Sequence, residues 1–216
     1  MKRADTPSRR LPLVTAAALL VVASCGILKP YVSPSGQPTS YSLAGDSVAK
    51  PAQSSPGTTA LTLIVNHPHA AAGFDSLHMI YLRHPDELEH FAHNEWIDTP
   101  ARMLPPLIVS AVANRGVFRA VVQTASPATG DLRLDTEILR LQQEFFSAPS
   151  RVRFTLRAYL VDIATRRVVA AREFEAVAAA PSDDPRGGVT AAQMAVKNVL
   201  ADLADFCAQT AASMKK

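Results

Sequence analysis

The chain has 216 residues, of which 48% are hydrophobic, enough to bury a core. Four of its 22 basic residues (Lys2, Arg3, Arg9, Arg10) and one of its 19 acidic ones (Asp5) fall in the first ten positions, which leaves 18 of each and a formally neutral remainder. That balance argues against a nucleic-acid partner held by excess positive charge, and two cysteines are too few for a disulfide scaffold.

The basic start runs into an uncharged stretch from Leu11 to Ala23, the n-region and h-region of a secretory signal. Pro12 and Thr15 interrupt that stretch, and it is shorter than the roughly 20 apolar residues of a spanning helix. Behind it stands Val22-Ala23-Ser24-Cys25-Gly26, which looks like the bacterial lipobox. In that pattern cleavage follows Ser24, a diacylglyceryl group sits on the Cys25 sulfur, and the new amine is usually acylated. Two or more chains hold a protein to a membrane stably, where one does so only marginally. A lipid-bearing Cys25 cannot pair with Cys207, so the folded part must stand on its core alone.

The expected organisation is a signal peptide over 1–24, a lipidated N-terminus and tether over 25–59, and a domain over 60–214. The tether is rich in Ser, Gly and Thr and contains Pro30, Pro34, Pro38, Pro51 and Pro56. One island, Tyr41-Ser42-Leu43, reads as a short edge strand docked on the domain.

In the domain, Leu61 to Val65 reads as a buried strand closed by Asn66-His67-Pro68, and His78 to Arg83 and Glu89 to His93 as two more around a Pro85-Asp86 turn. Asp98 or Thr99 then caps a helix with Pro100 at its first position, and Leu104, Leu107, Ile108, Ala111 and Val112 make its apolar stripe. Pro105 and Pro106 predict a kink, or a helix that begins only there. A strand from Phe118 to Gln123 follows, then a turn over 126–130.

The next strand changes parity, from Leu132, Leu134 and Ile138 to Leu139 and Leu141, which requires a β-bulge near Ile138-Leu139. After it, Val152, Phe154, Leu156, Ala158 and Leu160 alternate with a solvated row of Arg151, Arg153, Thr155, Arg157 and Tyr159. In the strand from Arg167 to Val177, Val168, Ala170 and Phe174 should face inward, which sets Arg157 beside Glu173. A polar stretch with Pro181, Asp183, Asp184, Pro185 and Gly187-Gly188 precedes a capping box at Thr190 to Gln193. The helix it opens carries Ala192, Val196, Val199, Leu200, Leu203, Phe206 and Cys207 on one stripe. The fold class is α+β: one mostly antiparallel sheet with two helices packed on one face.

Catalytic motifs are absent: there is no Gly-x-Ser-x-Gly elbow, phosphate-binding glycine loop, Cys-x-x-Cys pair or His-Glu-x-x-His helix. No catalytic residue, no metal ligand and no cofactor beyond the lipid on Cys25 is expected. All six histidines (His67, His69, His78, His84, His90, His93) lie in one stretch, but their spacing offers no obvious chelate. Arg133, Arg140, Arg151, Arg153 and Arg157 come together if the two long strands are neighbours. Arg151, Arg153 and Arg157 are the candidate partner-binding residues, with Glu137, Glu144, Glu173 and Glu175 near enough to neutralise them.

The elements taken together resemble the ABC-type transport auxiliary lipoprotein family, outer-membrane lipoproteins that accompany MCE-type intermembrane lipid transport systems. The resemblance rests on Cys25, the Tyr41-Ser42-Leu43 element, Leu61 to Val65, and Phe74-Asp75-Ser76-Leu77 leading into Met79 to Arg83. It continues through Phe91 to Leu104 with Trp96 and Pro100, and ends on Asn114-Arg115-Gly116-Val117-Phe118. The resemblance implies a non-enzymatic lipoprotein under the outer membrane, docked on an MCE-type periplasmic or inner-membrane protein and its ABC transporter, and compatible with a homo-oligomer. Gly26 after Cys25 fits outer-membrane sorting. Two other readings stay open: a scaffold of another envelope assembly or secretion complex, and a ligand- or metal-binding lipoprotein, which needs a sizeable cavity or converging histidines.

Overall fold

The structure is a computed structural model that describes residues 36–44, 59–124 and 129–214; Ser24, Cys25 and the signal segment lie outside the described residues. In chain order the elements are β1 (Thr39–Tyr41), β2 (Thr62–Val65), β3 (His69–Ala70), β4 (His78–Leu82), β5 (Glu89–Trp96), α1 (Pro100–Ala113), β6 (Ala120–Gln123), β7 (Leu132–Glu144), β8 (Arg151–Asp162), β9 (Val168–Ala179) and α2 (Pro185–Ser213).

The long strand β7 organises the sheet. Along one side it pairs antiparallel with β8, from Leu132 opposite Asp162 to Glu144 opposite Arg151, and β9 continues the meander beyond β8. Along its other side, β2, β3 and β4 pair with it in succession, all parallel. β6 joins β2 in parallel, β5 joins β4 antiparallel, and β1 joins β5 in parallel. The sheet is therefore mixed, with antiparallel long ladders and parallel short ones. Parallel neighbours need a crossover connection, and α1 lies on the path from β2 to its parallel partner β6. The two-residue β3 carries no alternation a sequence could display.

The ladder of β7 and β8 shifts between Ile138 and Arg140, leaving Leu139 out of register, so the expected bulge is present. Its effect is the required parity change: Leu132, Leu134 and Ile138 reach the core before it, and Leu141 after it. Opposite them Val152, Phe154, Leu156, Ala158 and Leu160 are all buried. A second shift, between Leu160 and Val161, takes Val169 out of the β9 ladder. Ala170 and Phe174 keep the inward parity, opposite Leu160 and Leu156, but Val168 pairs with Val161 and is 58% exposed. The inward placement expected for Val168 fails because the bulge reverses parity there.

Both helices lie on one face and close a single core that includes Leu63, Leu104, Ile108, Phe154 and Leu203. α1 runs from Pro100 through Pro105 and Pro106 as one helix, with no delayed start. Two prolines one turn in remove only the bonds that the carbonyls of Ala101 and Arg102 would accept. Burial of Leu104, Pro105, Ile108 and Val112 outweighs that loss.

α2 starts six residues earlier than the capping box at Thr190 suggests. Asp184 is its N-cap, accepting from the Gly187 N–H at 2.7 Å, and Pro185 is its first residue. Gly187 and Gly188 belong to its first turn rather than to a loop. The anticipated stripe is otherwise in place: Ala192, Val196, Val199, Leu200, Leu203 and Cys207 are buried. The Phe206 ring meets Phe174 edge-on with centroids 5.6 Å apart. Burial pushes the Cys207 thiol up to about 12, so it stays a protonated packing residue.

Candidate functional site

Among the described residues, no helix covers the other face of β7, β8 and β9. After the Leu139 bulge, β7 presents Arg140, Gln142 and Glu144 beside the row Arg151, Arg153, Thr155 and Arg157 of β8, and β9 adds Glu173 and Glu175. The geometry is that of alternating charges. Arg157 bridges Glu137 at 3.4 Å and Glu173 at 3.1 Å. Arg153 bridges Glu144 at 2.7 Å and Glu175 at 2.5 Å, and Arg151 lies 3.8 Å from Glu144. Farther along, Arg133 holds Asp135 at 2.8 Å, and Asn66 donates to the same carboxylate at 2.5 Å. Among the described residues Arg140 has no ion-pair partner.

The three arginines singled out from the sequence are thus brought onto one face, but as a neutral lattice rather than an uncompensated cationic patch. A partner here would exchange one set of ion pairs for another, which favours fit and register over gross attraction. Thr155, expected in solvent, is fully buried between its arginine neighbours and donates to Glu175 at 3.0 Å. Glu144, expected as one of the charges that neutralise the arginines, has a side chain that is almost wholly buried. The available signal was parity: carrying the alternation past the bulge puts Gln142 and Glu144 on the arginine face.

The electrostatics of Glu144 follow. Burial alone would raise its pKa, but hydrogen bonds from Arg153 and Gln142 hold the carboxyl below the usual carboxylate range. Hydrogen bonds to the Gly187 and Ser150 backbone N–H groups likewise lower Asp184 and Asp183. A lowered folded-state pKa contributes stability above the ordinary value and loses it as pH falls through the depressed one. Melting temperature should therefore be steady from neutrality to about pH 5 and fall below about pH 4.5, the ordinary Glu value. Glu144→Gln should lower stability at pH 7 and shrink the acid dependence, measured as thermal melts over a pH series.

Most pairs on this face are half exposed, and such pairs contribute roughly 0.2–1 kcal/mol each. Arg157 and Glu173 have side-chain exposures of 39% and 48%. The double substitution Arg157→Ala, Glu173→Ala should shift thermal unfolding by no more than a few degrees. Collapse of the fold would mean that the face is internal to an assembly.

The other sequence candidates do not converge. His78 and His90 stack with ring centroids 4.2 Å apart. Among the described residues no three His, Cys, Asp or Glu side chains come together to hold a metal ion. A cleft lined by Met79, Phe91, Trp96, Leu141, Gln143 and Gly188 has a volume of about 10 Å³, room for about one water. Trp96 is a core residue at the end of β5, 4% exposed, close to the start of α1. Among the described residues no helix is long and apolar enough to cross a membrane.

No curated protein matches the chain in sequence. Among solved structures, protein XCC0632 from Xanthomonas campestris superposes with a TM-score of 0.68 at 23% identity, over 74% of this chain and 90% of that one. A second, described as an uncharacterized protein, gives a TM-score of 0.61 at 12% identity, over 80% of this chain and 99% of that one. These likenesses speak to the fold. The family described as "ABC-type transport auxiliary lipoprotein component" matches residues 41–204, from β1 into the last turns of α2, and the chain belongs to that family of bacterial envelope lipoproteins.

Proposed function

We propose that this protein is an outer-membrane lipoprotein, anchored through Cys25, that serves an ABC system of the MCE type in phospholipid transport between the membranes. Its role is docking and bridging, without catalysis. The observation that carries the reading is the family match, which spans the folded domain. Two further features support it. The lipobox-like Val22 to Cys25 precedes the domain, and the neutral Arg/Glu face is a polar surface of the kind two proteins can share without a permanent hydrophobic seal. The docking surface we assign is the face that carries Arg151, Arg153 and Arg157, and a homo-oligomer could present several such faces to one tunnel. Energy would come from the system's ATPase.

Genetics tests this reading. Deleting the gene should raise sensitivity to detergents and bile salts, which exploit a disordered outer membrane, and the wild-type chain should restore resistance. If the deletion leaves the barrier intact and instead blocks secretion or outer-membrane protein assembly, the scaffold role replaces transport.

A further inference from the structure

The long antiparallel ladder ends on an open edge. β9 pairs only with β8, and among the described residues no strand lies beyond it. The Ala180 N–H donates to the Ser150 carbonyl at 2.8 Å, which sets the phase of the ladder. The even-numbered residues from Ala170 to Ala178 turn their N–H and C=O groups to β8, and Ala171, Glu173, Glu175, Val177 and Ala179 turn theirs outward. Such an edge is a template for another strand unless it is guarded. The usual guards are missing over most of its length: the 12-residue β9 contains no proline, and its bulge lies only at Val169.

The side chains define what fits beside it. On the face away from the helices the sign of charge alternates from strand to strand: Glu137 and Glu144 on β7, Arg153 and Arg157 on β8, Glu173 and Glu175 on β9. Each of the two arginines meets an acid on both sides. Glu173 and Glu175 meet a base on the β8 side alone and are otherwise exposed, as are Ala171 and Val177 in the same row. We propose that the free edge of β9 binds an extended partner segment as an added strand, with arginine or lysine at two alternate positions facing Glu173 and Glu175 and an apolar residue facing Val177. A second copy of β9 fits poorly. A two-fold antiparallel pairing centred anywhere from Arg172 to Glu175 sets like charges opposite each other: Arg172 on Arg172, Glu173 on Glu173 or Glu175, or Glu175 on Glu175. The inference goes beyond the transport reading and does not depend on it, since it names the chemistry of the segment and not the system that supplies it.

Peptide binding tests it on the full-length lipidated protein in detergent micelles. The probe is a fluorescein-labelled peptide, Val-Thr-Arg-Thr-Arg-Thr-Val, which reads the same in both directions and carries its arginines on one face. By fluorescence anisotropy it should bind about tenfold more tightly than the peptide with glutamate in place of arginine. Backbone N-methylation, which keeps the charge but removes the ladder donors, should abolish binding. Hydrogen exchange at Glu173, Glu175 and Val177 should slow when the arginine peptide is added. Val177→Pro, whose missing N–H points away from β8, should block binding while native circular dichroism is retained. No binding, equal binding of the arginine and glutamate peptides, or full binding of the N-methylated form overturns the proposal. Exchange at β9 that is already slow without peptide, and slows further with protein concentration, gives the edge to a second copy and overturns it too. No transport partner enters the assay, so its outcome is separate from that of the gene deletion.

Discussion

Replacing Cys25 with Ser should move the protein from the membrane fraction to the soluble periplasmic fraction and abolish its labelling by palmitate. The chemistry makes this effect close to complete. A serine hydroxyl cannot form the thioether that carries the diacylglyceryl group, and processing of the new amine depends on that first step. Each buried methylene contributes about 0.8 kcal/mol to membrane attachment, so losing two or three acyl chains removes far more than any protein contact on a neutral surface could restore. The described residues offer no helix to take over the anchoring. Undiminished membrane fractionation and palmitate incorporation in the variant would show that the attachment lies elsewhere.

Gly187→Ala should destabilise the domain even though the same change in an ordinary helix interior stabilises by up to about 1 kcal/mol. A Cβ built on Gly187 would stand 2.1 Å from the Ser182 carbonyl oxygen, and one on Gly188 would stand 2.1 Å from Gln143 Oε1. Neither neighbour can yield easily. Ser182 is backbone in the turn that leads to the Asp184 cap. Gln143 is buried and tied to the Ser150 hydroxyl at 2.9 Å. Overpacking of this kind costs about 1–3 kcal/mol, and each kcal/mol lowers the melting temperature of a domain this size by about 2–4 °C. Met194→Ala, at an exposed position of the same helix, should change it by less than about 0.5 kcal/mol. A melting temperature for Gly187→Ala at or above that of the wild type would mean that α2 begins later and the glycines are loop residues after all.

The elements legible in the sequence were those whose period is long enough to count. In β8, five alternating apolar residues mark the buried face, and the parity break places a bulge near Ile138-Leu139, where the ladder shifts. The Arg157 and Glu173 pair followed from the same counting. The failures share a cause as well. Val168 departs from the inward parity because a second bulge follows the turn into β9, and no polar residue marks it. The start of α2 is hidden in the sequence because glycines signal loops unless their neighbours are known, and those neighbours, Ser182 and Gln143, come from different parts of the chain. The α+β class with two helices on one face of the sheet holds, but sequence order alone does not reveal that β2, β3 and β4 all return in parallel to the same side of β7. The lattice was partly visible as residue types, but the burial of Glu144 depends on arginines from a neighbouring strand.

The central claim is that this anchored domain works by docking on a transport partner, and site-specific photo-crosslinking in living cells tests it most directly. A crosslinking amino acid placed at Tyr159 or Arg157 on the charged sheet face, and as a control at Met194 on the helical face, should capture an MCE-type protein from the first two positions only. Recovery of secretion or outer-membrane assembly components alone from Tyr159 and Arg157 would contradict the transport role.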